Sequence, residues 1–321
     1  MGVAVFAMAA MAALAACGST SSTAEGPAAS SAASAAASVS SAAPAADPSA
    51  EPPEAPSAAP EATAAQPAQP VAGADMAGHI HNLAYDGRQL LIGTHEGLWG
   101  QTPGATPTQV SEDAFDVMGF TPTTDRWLAS GHPGEGMDAP ADLGLLQSTD
   151  QGRTWTDVSL SGEVDFHRLA TADSVVVGLN AADGRLLRSD DDGATWTDLG
   201  VPGLYDLAID PADSSIVIGT TEDGPVRSTD SGATFRPIDG APLLALLAWT
   251  GDTLYGAGVD GQVLVSQDGG ATWSAVGSLP AQPAAFAATG TTIAALVDDS
   301  IVESLDSGAT FAPRITDLGG H

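Results

Sequence analysis

The sequence predicts an all-β chain: a six-bladed β-propeller of four-stranded blades, preceded by a disordered linker. Three observations carry this. A segment of the form S-x-D-x-G-x-T-[WF] recurs five times, beginning at Ser148, Ser189, Ser228, Ser266 and Ser304, so its period is 38 to 41 residues. Between the copies lie short apolar runs bounded by Gly or Asp, such as Ser174–Leu179, Ser215–Thr220 and Thr253–Ala257, which read as strands. The stretch from His79 to Asp317 holds close to six such periods, so six blades are expected, with seven as the alternative count.

In chain order, Val3 to Ala16 is almost entirely small and apolar. It is too short for a membrane span of about 20 residues and fits the core of a secretory signal. It runs into Leu14-Ala15-Ala16-Cys17, which resembles the lipobox of bacterial lipoproteins. That resemblance implies lipidation of Cys17, a leader over residues 1–17, and an extracytoplasmic protein touching the membrane only through its lipid. Cys17 is the single Cys, so no disulfide framework or CxxC site exists. Residues 18–75, built from Ala, Ser, Pro, Glu, Thr and Gln, have too little to bury to offset their ordering entropy. They are expected to form a disordered spacer, roughly 40 Å across as a coil. Residues 76–321 are expected to form the propeller.

Within it, blade 1 is read from His81–Asp86, Gln89–Thr94, Leu98–Gln101 and Thr106–Val110, with its repeat degraded to Gln101-Thr-Pro-Gly-Ala-Thr. The five intact copies resemble the Asp box, or bacterial neuraminidase repeat. The physics is that of a hairpin turn between the third and fourth strands, C and D. The Asp accepts bonds from turn amides and hydroxyls, the Gly takes a conformation costly for other residues, and the Trp or Phe packs back into the blade. These positions are structural.

Charge narrows the partners. The chain holds 40 acids against nine basic residues, all Arg, for a net charge of −31. Like charges repel, so nucleic acid and anionic membrane surfaces are excluded. A monomer is expected, with a glycan, a small molecule or a protein as ligand.

Candidate site residues come from aligning the blades. The starts of the innermost strands, A, form a column: His81, Asp116, His167, Tyr205, Ala245, Ala284. The ends of the next strands, B, form another: His95, His132, Asn180, Thr221, Val259, Val297. Strands A and B are antiparallel, so both columns lie at one face, opposite the repeat turns. Five of the six His (His79, His81, His95, His132, His167) therefore gather on blades 1 to 3, with Asp165 aligned to His79. The long blade 2 loop from Gly131 to Leu143 adds Glu135, Asp138 and Asp142 as a candidate lid. Imidazole with carboxylate suits a divalent transition metal as cofactor, held by those five His. The same His and Tyr205 are the candidate ligand-binding residues.

Several segments look like a secreted bacterial family filed as glycosylhydrolases: His79-Ile-His-Asn-Leu-Ala84, Thr94-His-Glu-Gly-Leu98, Met118-Gly-Phe120, Ala129-Ser-Gly-His-Pro-Gly134, Leu143-Gly-Leu145 and Asp165-Phe-His167. The resemblance implies a sialidase-superfamily propeller over about residues 79–317. A Phe/Tyr-Arg-Ile-Pro motif is absent, and Arg188 and Arg227 lead into the repeat turns, so sialidase chemistry is not expected. The leading expectation is a surface-displayed binding or assembly module. The alternative is a glycoside hydrolase of another specificity, with Asp116, Asp165 and Glu135 as candidate catalytic carboxylates.

Overall fold

The computed structural model describes residues 66–319 except Ala74, Asp75, Ala77, Gly78 and Asp113. The expected signal, Cys17 and residues 18–65 of the expected linker lie outside the described residues. Six antiparallel four-stranded sheets follow one another along the chain, and no described residue is helical. The fold is a six-bladed β-propeller. The A strands are Ile80–Tyr85, Asp116–Pro122, Phe166–Ala172, Asp206–Ile209, Leu244–Thr250 and Ala285–Thr289. They surround a cavity of about 270 Å³, lined in part by His81, Arg168 and Asp206.

The core sits between blades. Leu91, Leu98 and Val117 pack with Phe120 and Trp127 between blades 1 and 2, and Leu128, Leu145 and Val176 pack between blades 2 and 3. The repeat aromatics seal these seams: Trp155 packs on the first cluster and Trp196 on the second. Each repeat turn places two successive residues in the left-handed region, for example Gln151 (φ 64°) and Gly152 (φ 82°). Ser148 Oγ receives the Gly152 amide at 2.8 Å and donates to Asp150 Oδ1 at 2.8 Å. Asp150 in turn accepts from the amide and hydroxyl of Thr154 at 3.0 and 2.7 Å. Four of the five turn aspartates, Asp150, Asp191, Asp230 and Asp306, are held down at about 2 by such bonds from the following Thr and preceding Ser.

Blade 1 departs from this pattern, as its degraded repeat requires. Buried Gln101 stands where the other blades place the repeat Ser. Arg314, from the outer strand of blade 6, donates to its side-chain oxygen at 2.6 Å and its carbonyl at 2.8 Å. The same guanidinium pairs with buried Glu303, which also accepts from Tyr85 Oη at 2.9 Å. Burial and the Glu303 carboxylate push the Tyr85 phenol up. This network links the last blade to the first.

A further link comes from the stretch read as linker. Val71–Ala72 adds a parallel fifth strand to blade 6, pairing with Ile315 and Thr316. Met76 packs below it with Ile80 and Leu90 of blade 1 and with Ala285 and Ile301 of blade 6. Two apolar residues suffice there because the sheet edge supplies the backbone partners.

Candidate functional site

The register places the two columns on one face. Ile80 pairs with Thr94, Asp116 with His132, and Phe166 with Asn180, so the start of each A strand meets the end of its B strand. His81 and His167 are the extra residues of β-bulges, between Ile80 and Asn82 and between Phe166 and Arg168. A bulge frees one residue from the ladder and re-aims its side chain. The amide of His95 donates to the His79 carbonyl at 3.2 Å, and that of Ala181 to the Asp165 carbonyl at 2.8 Å, so His79 and Asp165 occupy equivalent places.

The blade 2 loop closes over this face through glycines. A Cβ on Gly131 (φ 153°) would lie 1.8 Å from the Asp116 carbonyl oxygen, and one on Gly134 would lie 1.5 Å from that of Ala114. Only glycine lets the loop come this near the start of strand A. His132 Nδ1 donates to the Ala141 carbonyl within the loop at 3.0 Å. Glu135 and Asp138 are exposed on the loop.

The five imidazoles divide into two groups, each built around one aspartate. In the first, Asp116 meets His95 Nδ1 at 2.8 Å and His81 Nε2 at 3.3 Å. His79 stacks beside them, its ring 6.4 Å from His81 and 5.7 Å from His95. Burial pushes the Asp116 carboxyl up, but His81 and His95 outweigh it and hold it below the usual range. His81 Nε2 and Asp116 Oδ1 are both buried without a hydrogen bond.

In the second group, Asp165 Oδ2 lies 2.6 Å from His167 Nε2 and 3.3 Å from His132 Nε2. Neither contact is aligned as a hydrogen bond among the described residues. Asp165, its side chain 8% exposed, also buries Oδ1 with no partner among the described residues. In each group three donor atoms lie within 4.8 Å of one another. His95 Nδ1 donates to Asp116 Oδ2 in an aligned hydrogen bond, whereas His81 Nε2, Asp116 Oδ1 and Asp165 Oδ1 have no partner among the described residues; each set is close enough to hold one metal ion. Two His with one carboxylate suit zinc or non-haem iron.

Sequence reasoning missed one charged pair. Arg168 Nε meets Asp206 Oδ1 at 3.0 Å in the central cavity, and the Leu247 amide donates to Asp206 Oδ2 at 2.7 Å. Burial pushes the Asp206 carboxyl up, against the pull of Arg168. Tyr205, one residue before Asp206, is 60% exposed and lies apart from the imidazole groups. It lines a groove of about 360 Å³ with Leu243 and Val259 on blades 4 and 5.

No family model and no curated protein matches the chain. Solved structures do. A nidogen/laminin complex superposes with a TM-score of 0.56 at 12% identity, covering 71% of this chain and 93% of that one. A GH74 enzyme from Niastella koreensis gives 0.53 at 17%, covering 75% of this chain and 38% of the enzyme. The extracellular domain of the one-component system BT4673 from B. thetaiotaomicron gives 0.52 at 11%, covering 77% and 34%. The chain thus spans little more than a third of the last two. At these identities the likeness is one of fold.

Proposed function

We propose that this chain is an extracytoplasmic binding module, anchored by lipid on Cys17 and held off the membrane by residues 18–75. Its binding face is the mouth of blades 1 to 3, where it captures a divalent transition metal. The observation that carries this reading is buried Asp165, met by two imidazole nitrogens at 2.6 and 3.3 Å with Oδ1 unpartnered. An unpartnered buried carboxylate is costly, and a cation between the donors removes that cost. The strongly acidic chain raises the local concentration of cations. The repeat turns, whose resemblance is to the Asp box, serve as scaffold.

Glycoside hydrolysis is favoured less by the same geometry. A hydrolase of this kind needs one carboxyl kept protonated beside the sugar. Asp116 is held in the charged form and Glu135 stands on an exposed loop; burial pushes the Asp206 carboxyl up, but Arg168 occupies it at 3.0 Å. Calorimetry with Zn²⁺ and Cu²⁺ on the full-length chain tests the reading. Binding that weakens at least tenfold in Asp165→Asn supports it, and no binding by the native protein overturns it. Turnover of any member of a glycan panel, lost in Asp116→Asn, would establish the hydrolase instead. Release of Cys17→Ala from the membrane fraction checks the anchor.

A further inference from the structure

The two groups share a donor set, two imidazoles and one carboxylate each, but stand on separate carboxylates. Around Asp116 stand three imidazoles, with centroid separations of 4.5, 5.7 and 6.4 Å among His79, His81 and His95. Rings that share one tetrahedral ion through nitrogens about 2.0–2.1 Å away have centroids roughly 5 Å apart. The His81–His95 pair fits that spacing, whereas His79, 6.4 Å from His81, lies too far to share the ion, so this group offers His81, His95 and Asp116. The His81 and Asp116 side chains are 19% and 14% exposed, and the group opens to solvent through His95, 46% exposed.

Around Asp165 two imidazoles stand, 39% exposed for His132 and 38% for His167, comparable to His95. His132 is pre-set for ligation. The Ala141 carbonyl can only accept, so Nδ1 carries its hydrogen, and neutral His132 turns a bare Nε2 lone pair towards the Asp165 carboxylate. Two acceptors facing each other repel unless a proton or a metal ion stands with them. Fixing the tautomer from the far nitrogen is the usual support of a metal-bound imidazole. Asp142 Oδ1, 3.7 Å from the same Nδ1, reinforces that side.

Separate carboxylates separate the groups. Asp116 and His132 are register partners on neighbouring strands, yet His132 meets Asp165, and no cluster of donors within 4.8 Å joins the two sets among the described residues.

We infer that the mouth holds two distinct transition-metal sites: one of His81, His95 and Asp116, and one of His132, Asp165 and His167. Each supplies three protein donors and leaves one position of a four-coordinate ion to an external anion or other donor, the pattern of catalytic and ligand-recruiting metals rather than of structural ones. This rests on the metal-binding reading above and names where an outside ligand attaches.

Co²⁺ and azide serve as probes. The full-length chain is titrated with Co²⁺ by visible absorption, and bound metal is counted after gel filtration. Two equivalents are expected in the native protein and one in each of Asp116→Asn and Asp165→Asn. Azide should shift the bands of both Asp116→Asn and Asp165→Asn, since each keeps one three-donor site. His81→Ala should weaken only the Asp116 site, by tenfold or more. His132→Ala repeats the test of the Asp165 site should Asp165→Asn fail to fold. One equivalent in the native protein, loss of all metal in either variant, or no azide response in either variant overturns the two-site scheme while leaving metal binding intact. No binding of any metal overturns the underlying reading as well.

Discussion

On the turn face, Asp150 accepts from Ser148 Oγ and from the amide and hydroxyl of Thr154, all within four residues. The same three bonds recur at Asp191, Asp230, Asp268 and Asp306. At the mouth, Asp165 is far more buried than Asp150, yet its carboxylate accepts no aligned bond from the described residues, and its neighbours come partly from another blade. The contrast separates two uses of one side chain. A carboxylate completed by its own hairpin is a staple, and each blade can carry one independently. A carboxylate left to neighbouring strands is buried at a cost, and that cost falls when something outside the chain completes it.

The largest effect is expected where the turn face breaks its own rule. Blade 1 lacks the staple, and Arg314 from blade 6 takes over through Gln101 while pairing with buried Glu303. Removing one partner of a buried pair leaves an uncompensated charge, so Arg314→Ala should cost about 3–5 kcal/mol in urea denaturation. The double variant Arg314→Met/Glu303→Met should recover most of that loss, since apolar replacement of a whole buried pair is often neutral or better. A loss below about 1 kcal/mol in Arg314→Ala would show that blade closure rests on the Met76 cluster and the Val71–Ala72 strand instead.

That closing network marks a limit of sequence reading. The five repeats and their spacing place six blades, and the aligned columns place the strand ends to within a residue: Thr94 against His95, and His132, Asn180 and Thr221 as read. Gln101 is visible as a break in the repeat, but nothing local points to Arg314, 213 residues away. The five His are legible as one face because face follows from strand parity and end. Their division into two groups is not, because it depends on bulges at His81 and His167 and on which blade supplies each partner. The Arg168–Asp206 pair escaped for a related reason. The column was drawn through His167 and Tyr205, and one residue further on an opposite pair faces the cavity.

Acid should act on the turn face first. Asp150, Asp191, Asp230 and Asp306 hold carboxyls at about 2, against an ordinary value of 3.8. A depressed folded-state value means that the unfolded chain takes up protons first as pH falls. The stabilisation from these four turns is therefore complete above about pH 5 and is lost progressively as pH falls towards 2. A melting temperature flat from pH 7 to 5 and falling steeply below 4 is expected. Asp230→Asn should flatten part of that fall, because it removes one of the four linked protons. An unchanged acid limb in Asp230→Asn would mean that other carboxylates control acid unfolding.

The smallest effect on stability is expected at the most deeply buried of these aspartates. Asp165→Asn removes a charge that no aligned hydrogen bond compensates, and it leaves His132 held by Ala141. In EDTA the variant should melt within about 1 kcal/mol of the native protein, or above it, because relief of desolvation offsets the lost ion pairing. Asp230→Asn on the turn face, exposed but fully bonded, should melt lower under the same conditions. Saturating Zn²⁺ then reverses the ranking at the mouth. A ligand at 100 times its dissociation constant adds about 2.7 kcal/mol to the native state, and the native protein should gain more than Asp165→Asn. Should Asp165→Asn instead lose several kcal/mol in EDTA, the mouth carboxylate would be a staple like those of the turns, and the contrast between the two faces would fail at its centre.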